Sequence, residues 1–251
     1  MIEQPRAWRL EQNGNVAFAA VCADIACYAE DAGPSSTRHR SPAWQLVLSW
    51  AGPVVATDEQ GSVTTGPGVL VPPRIFRTIQ RPGGYTSLWI DPHCLDIPGP
   101  PRIHALDRDQ VRRLLAGAKR DPDPDPERIR ATAHRILGET PSMDPRLERA
   151  LEALDEVDSI DELADLAGLS PRRLRQLSTE AIGGSLVMLR RWHRLREAGL
   201  QLPFHTAAEV ATRTGFADQA HLIRTSVALC GRTPGSTPAA PPPQAGQNGG
   251  S

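Results

Sequence analysis

Cysteine is scarce: 251 residues hold four, Cys22, Cys27, Cys94 and Cys230, with no CxxC pair among them. A chain of this length buries its own core without disulfide staples, so reduced thiols and a cytoplasmic location are expected. Long hydrophobic runs are missing too. None approaches the ~20 residues that span a bilayer, so neither a transmembrane helix nor a membrane partner is expected. The nearest thing to a signal segment, NVAFAAVCADIACYA, is interrupted by Asp24 and has no basic stretch before it, so it reads as folded structure. No Walker loop, GxSxG or HExxH occurs, and the chemistry each carries is not expected. Net charge is also lacking, at −1 overall, but it is unevenly spread. From Ser159 to Ser236 there are ten arginines against seven acidic side chains, a net of +3 that leaves −4 for the remainder. Arginine is the cation best shaped for bidentate contact with phosphate or guanine.

What is present changes character along the chain. Between Ala43 and Asp91 lie five short runs rich in Val, Ile, Leu, Thr and Trp: QLVLSW, PVVAT, SVTT, GVLVP and YTSLWI. Gly and Pro separate most of them, which predicts a small antiparallel barrel or sandwich with its prolines at strand ends or edges. From Asp107 the period becomes helical. DRDQVRRLLAGA places Val111, Leu114 and Leu115 on one face behind Asp107 as N-cap. DPDPDP, Asp121 to Pro126, predicts a stiff non-helical connector. Two more helical stretches follow, and the second carries a Leu147, Leu151, Leu154 stripe that suits intramolecular packing or half of a dimer interface. The tail from 237 to 251 has no large apolar side chain and is expected to be disordered.

One supersecondary unit is used twice. Glu162-Leu163-Ala164 matches Glu209-Val210-Ala211, and Gly168-Leu169 matches Gly215-Phe216, at an offset of 47. After a single inserted residue the offset is 48: Ser170 pairs with Asp218, Leu174 with Leu222, Gln176 with Arg224, Ser178 with Ser226 and Gly183 with Gly231. Each copy reads as a short helix, a glycine where the chain must turn, an apolar plug, an N-cap and a second helix, the outline of a helix-turn-helix. The second helices offer Arg172, Arg173, Arg175 and Gln176 in one copy, and Gln219, Ala220, Ile223 and Arg224 in the other. Arg suits guanine, Gln suits adenine and small apolar groups suit the thymine methyl, so these eight are the candidates for reading base edges. Ser170, Thr179, Arg190, Arg191, Arg194, Thr206, Arg213 and His221 are the candidates for phosphate contacts. Leu186 to Leu202 predicts a connecting helix of roughly 25 Å at ~1.5 Å per residue. That length lets one chain reach two major grooves about 34 Å apart.

ELADLAGLSPRRLRQ, Gly183, Arg194-Leu195 with Ala198, and GFADQAH followed by GRTP together resemble the C-terminal DNA-binding domain of the AraC/XylS family of bacterial transcription regulators, over about 75 residues from Ser159 to Pro234. AWQLVLSWAG, GPGVLVPP and IDPHC resemble the start, middle and end of the cupin-type sensor that precedes it in that family. The resemblance implies an α+β chain with a cupin-like antiparallel barrel over 1–106, a helical linker over 107–157 and two helix-turn-helix units joined by a long helix over 158–236. The partners it implies are double-stranded DNA, a small-molecule effector, a homodimer through the linker and, for an activator, RNA polymerase. The effector would sit inside the barrel, where Trp44, Trp50, Phe76, Tyr85 and Trp89 either line a cavity or fill it as core. Three positions depart from the family: Ser178 and Ser226 replace large aromatics and Gln201 replaces leucine. If buried, each serine adds a hydroxyl that needs a partner. A metal cupin brings several His ligands, yet the stretch from Gln45 to Asp91 has no His. His93, Cys94 and His104 lie just beyond it with no further ligand, so no metal, cofactor or catalysis is expected. The competing readings are a cupin-type enzyme or carrier with a C-terminal interaction module, and a regulator acting through a protein partner.

Overall fold

The computed structural model describes residues 6–12, 15–31, 35–81, 83–97, 99–118, 125–138 and 142–236. The expected tail and the first four residues of the DPDPDP connector lie outside them. Eleven described strands form two antiparallel sheets. Strands β1 (Arg6–Gln12), β2 (Asn15–Cys22), β3 (Ile25–Glu30), β10 (Tyr85–Ile90), β5 (Trp44–Ser49), β8 (Gly68–Val71) and β11 (His104–Leu106) make the larger sheet in that spatial order. Strands β4 (Ser36–His39), β9 (Arg77–Gln80), β6 (Val54–Asp58) and β7 (Val63–Gly66) make the smaller one.

The period of two divides the large sheet into two apolar faces. Phe18, Ala20, Cys27, Leu46, Leu48, Leu88 and Ile90 point to one side. There they meet Val111 and Leu114 of α1 (Arg108–Ala118) and Ile129 and Ala133 of α2 (Pro126–Leu137). Asp107 caps α1 as expected, its carboxylate accepting from the Gln110 amide at 2.8 Å. Pro126 departs from expectation. It opens α2 behind the Asp125 cap instead of closing a connector, because a first-turn proline lacks only an N–H that would have no partner there. On the opposite face Val47, Val69, Val71 and Tyr85 pack on Val54, Ala56 and Ile79 of the small sheet, and Trp8, Ala19, Val21 and Ala26 pack on Leu200.

The remaining helices are α3 (Pro145–Glu152), α4 (Ile160–Leu166), α5 (Pro171–Ile182), α6 (Leu186–Gln201), α7 (Ala207–Arg213) and α8 (Gln219–Cys230), around one core. Leu147 and Leu154 are buried in that core, so their stripe is intramolecular packing. The stretch 107–157 therefore divides, with α1 and α2 on the sheet and α3 in the helical core. The two corners are built alike. Gly168 and Gly215 take φ of 66° and 73°, and the next residues, Leu169 and Phe216, donate to the Ala164 and Ala211 carbonyls at 2.8 and 2.9 Å. Ser159 with Glu162, and Thr206 with Glu209, close a capping box at the start of each unit.

The helical half is fastened to the sheets along α6 and the end of α8. Asp91, buried just after β10, accepts from Trp192 Nε1 at 3.2 Å, His193 Nε2 at 3.0 Å and Arg196 Nη1 at 3.3 Å. Glu30 receives Arg232 at 2.6 Å. The Gly231 carbonyl accepts from Thr37 N and the Ala228 carbonyl from Arg40 N, at 3.0 and 3.1 Å. Gly183 and Gly231 are duplicates with φ of 65° and 70°, but only Gly231 is tightly enclosed. A Cβ there would lie 2.6 Å from His39 Nδ1 and 2.7 Å from the Thr37 carbonyl oxygen, whereas at Gly183 the nearest atoms belong to Arg74 at 4.0 Å.

Two measurements check this seam. Each Gly→Ala change strains the left-handed backbone, by about 1–3 kcal/mol. Gly231→Ala adds a clash with β4, so it is expected to melt below Gly183→Ala; equal melting temperatures contradict the tight docking. The second measurement is pH dependence. Burial alone would raise the Asp91 pKa, but Arg196 and His193 outweigh it and hold the carboxylate at about 2. Burial and Arg196 oppose protonation of His193, yet Asp91 and Asp155 prevail and raise its pKa; His93 also faces the group. The Asp91 contribution is complete above about pH 3.9 and fades as pH falls toward 2. The His193 contribution is complete below about pH 6.5 and is lost as pH rises through the elevated value. Melting is expected to peak in mildly acidic buffer, with an alkaline decline that His193→Gln flattens. An unchanged decline in that variant contradicts the assignment.

Candidate nucleic-acid interface and the cavity behind it

Helix α5 starts at Ser170, whose hydroxyl accepts from the Arg173 amide, with Pro171 in the first turn. Leu174 and Leu177 turn inward, leaving Arg172, Arg175, Gln176 and Thr179 exposed at i, i+3, i+4 and i+7, a continuous outward stripe. The offset of 48 maps that stripe onto Ala220, Ile223, Arg224 and Val227 of α8. There Ala220 and Arg224 are exposed, while Ile223 and Val227 are half-buried. Arg173 and Gln219 are exposed beside the stripes. The Arg173 counterpart, His221, packs edge-on against Phe216 at 5.2 Å between ring centroids.

The phosphate candidates separate. Arg191, Arg213 and Thr179 are exposed. The Ser170 and Thr206 hydroxyls accept N-cap hydrogen bonds at exposed helix starts. Arg194 donates to the Gly215 carbonyl at 3.0 Å and braces the second corner. Arg190 is a correction. Its guanidinium turns inward, with Nε donating to the Leu154 carbonyl at 2.8 Å and Nη1 to that of Asp158, and the residue is buried. The physical reason lies in α6, which is enclosed on two sides. Leu186, Leu189, Leu195 and Ala198 face the helical core while Trp192, Arg196 and Leu200 face the sheets, so polarity did not mark its exposed positions.

The two serines that depart from the family are buried, and each hydroxyl finds a carbonyl: Ser178 that of Arg175 at 3.0 Å, Ser226 that of Arg232 at 2.6 Å. Gln201 is half-buried and donates to Glu197 at 2.9 Å. Ser226 also forms part of the wall of a cavity of about 140 Å³ between the inner sheet face and the helices. A large aromatic at this position would project toward that space.

Of the five aromatics expected around a ligand, Tyr85 and Trp89 line this cavity. The other three do not. Trp44 is core, its Nε1 on the Pro92 carbonyl; Trp50 bonds Thr86; Phe76 lies beneath the Arg38 and Arg40 guanidinium groups. The cavity is also not enclosed by strands alone, since Trp192, Leu195, Arg196 and Leu200 of α6 and Ser226 and Cys230 of α8 complete it. Its polar corner centres on Glu30, which accepts from Tyr28 Oη at 2.7 Å and Tyr85 Oη at 2.8 Å as well as from Arg232. Burial pushes both phenols up, so they remain hydrogen-bond donors. Among the described residues, Trp89 Nε1, Arg196 Nε and Arg232 Nε, all on residues of the wall, are buried without an acceptor. Sequence reasoning missed Glu30, Asp91 and Arg232, because a lone charged residue at the end of a strand or just past a strand or helix carries no periodic signal. Burial also raises the pKa of all four thiols, Cys22 and Cys230 to about 12, which opposes thiolate chemistry at neutral pH. Among the described residues no His, Cys, Asp and Glu side chains gather into a group that could hold a metal ion, and no helix is long and apolar enough to cross a membrane.

Residues 163–239 match the model of a helix-turn-helix domain family. No curated protein matches the chain. Among solved structures it is similar to an apo form of ToxT from Vibrio cholerae strain SCE256, with 9% identity and a TM-score of 0.54 over 85% of this chain and 96% of that one. It is also similar to wild-type ToxT of the same strain bound to an unsaturated fatty acid, with 10% identity and a TM-score of 0.51 over 84% and 92%. ToxT from Vibrio cholerae O395 bound to (E)-4-(8-methylnaphthalen-1-yl)but-3-enoic acid matches with 8% identity and a TM-score of 0.51 over 92% and 96%. The C-terminal segment is thus a helix-turn-helix domain, carried behind a two-sheet domain in a fold that the chain shares with ToxT.

Proposed function

We propose that the chain is a sequence-specific DNA-binding transcription regulator whose paired reading helices, α5 and α8, respond to a small molecule held against the sheet domain. The observation that carries the reading is the duplicated corner, which leaves an outward stripe on each second helix, polar along α5 and mixed around Arg224 on α8. Arg172, Arg175, Gln176, Gln219, Ala220, Ile223 and Arg224 read base edges, with Arg173 at their flank. Arg191 and Arg213 meet phosphates, helped by the helix starts at Ser170 and Thr206. Arg172→Ala and Arg224→Ala are each expected to relax preference at one base position, at a cost of about 1–3 kcal/mol. Unaltered preference in both variants contradicts the assignment.

The small molecule occupies the cavity behind the helices. Mostly apolar walls that include Arg232, Arg196 and the Tyr28 and Tyr85 phenols call for an apolar body bearing acceptor oxygens, such as an organic acid. The fatty acid and the butenoic acid bound to ToxT have that chemistry. An unsaturated fatty acid is expected to raise the melting temperature more than its methyl ester does, and Ser226→Phe, which fills the cavity, is expected to abolish the shift. Equal shifts for acid and ester, or none for either, contradict the assignment.

A further inference from the structure

We propose that the sheet domain adds two DNA-backbone contacts of its own, Arg40 and Arg74, one at the C-terminal end of each reading helix. The proposal rests on the DNA-binding reading above. Arg40 follows β4, and its backbone amide donates to the Ala228 carbonyl at 3.1 Å, one helical turn beyond Arg224. Its side chain is exposed, and the guanidinium lies 4.5 Å from the centroid of the Phe76 ring, which also carries Arg38 at 4.2 Å. Arg74 stands at the other helix. Its guanidinium comes within 4.0 Å of the Cβ position of Gly183, the residue that caps α5, one turn beyond Thr179. Arg74 is exposed, and among the described residues it alone combines a side chain with positive φ, at 67°; its amide is held by the Ser41 carbonyl at 2.8 Å.

Both arginines line one cleft of about 150 Å³ between the sheet domain and the turn from α5 to α6, where Gly184 and Ser185 form the wall. Neither has an acidic partner among the described residues. Two like charges sharing a cleft repel, and an anion between them removes that cost. The C-terminal end of a helix seated in a major groove can meet the DNA backbone, and these two cations lie at such ends, beyond the outward stripes of α5 and α8. The same arginines also complement the carbonyl ends of α5 and α8, a purely structural role that would be independent of DNA.

Salt dependence separates the two roles. The full chain is titrated with a duplex that it has selected from random sequence, and with an unselected duplex, over a range of NaCl concentrations. Arg40→Gln and Arg74→Gly are the variants, and glycine suits the positive φ at 74, so that chain should fold. Each is expected to lower the salt slope by about 1, to weaken both duplexes alike, and to leave base preference unchanged. Wild-type slopes in both variants, with melting temperatures intact, overturn the proposal. So does protection of the wild type alone by inorganic phosphate while the DNA slopes stay equal, which would make the cleft a small-anion site. If the wild type binds no duplex at all, the DNA-binding reading falls first and this proposal with it.

Discussion

A buried carboxylate orients the helical half relative to the sheets. Asp91 sits where β10 ends and accepts from three side chains of α6. An unpaired charge in that position would be costly, and removing a partner from such a site is more damaging than the net value of the interaction suggests. The donors come from consecutive turns of one helix, so they fix its rotation as well as its position. Arg196 also reaches the Ala23 carbonyl at 3.0 Å, and Trp8 Nε1 reaches the Gly199 carbonyl at 3.3 Å, extending the contact along α6. The other side of α6 is the floor on which both corners rest.

Under the proposed function, this two-sided helix would give the molecule a route from sensing to reading. The cavity is bounded by the sheet on one side and by α6 and α8 on the other, so an occupant touches both halves. Arg232 stands at its polar end with Glu30 behind it, where ligand oxygens would compete with Glu30 for the same cation. Such competition changes the contact between α8 and the sheet without requiring a rearrangement of either core. A ligand shifts a conformational balance only through different affinities for its states, and a site made of two halves supplies that difference.

The helical half was legible because its signals are local. A glycine with positive φ, an apolar plug and an N-cap at fixed spacing each have one structural meaning, and they occur twice. The strand runs QLVLSW, PVVAT, SVTT, GVLVP and YTSLWI correspond to β5, β6, β7, β8 and β10. Strands β4 and β9, STRH and RTIQ, had no apolar alternation long enough to detect. The inward turn of Arg190 and the placement of the cavity are tertiary facts. An arginine on a helix sandwiched between two cores finds backbone carbonyls for two of its nitrogens, and no helical period records that. Trp44 likewise lies on a strand whose two faces are both covered, and Trp50 just after it, so aromatic enrichment alone could not say which face opens on a cavity.

The central claim is that a single chain aims two matched helices into neighbouring turns of a duplex. Selection of bound fragments from random double-stranded DNA by the full chain tests it most directly. The expected outcome is two conserved half-sites whose centres lie about 10–10.5 base pairs apart. Enrichment of one isolated half-site, or of no sequence at all, would contradict it.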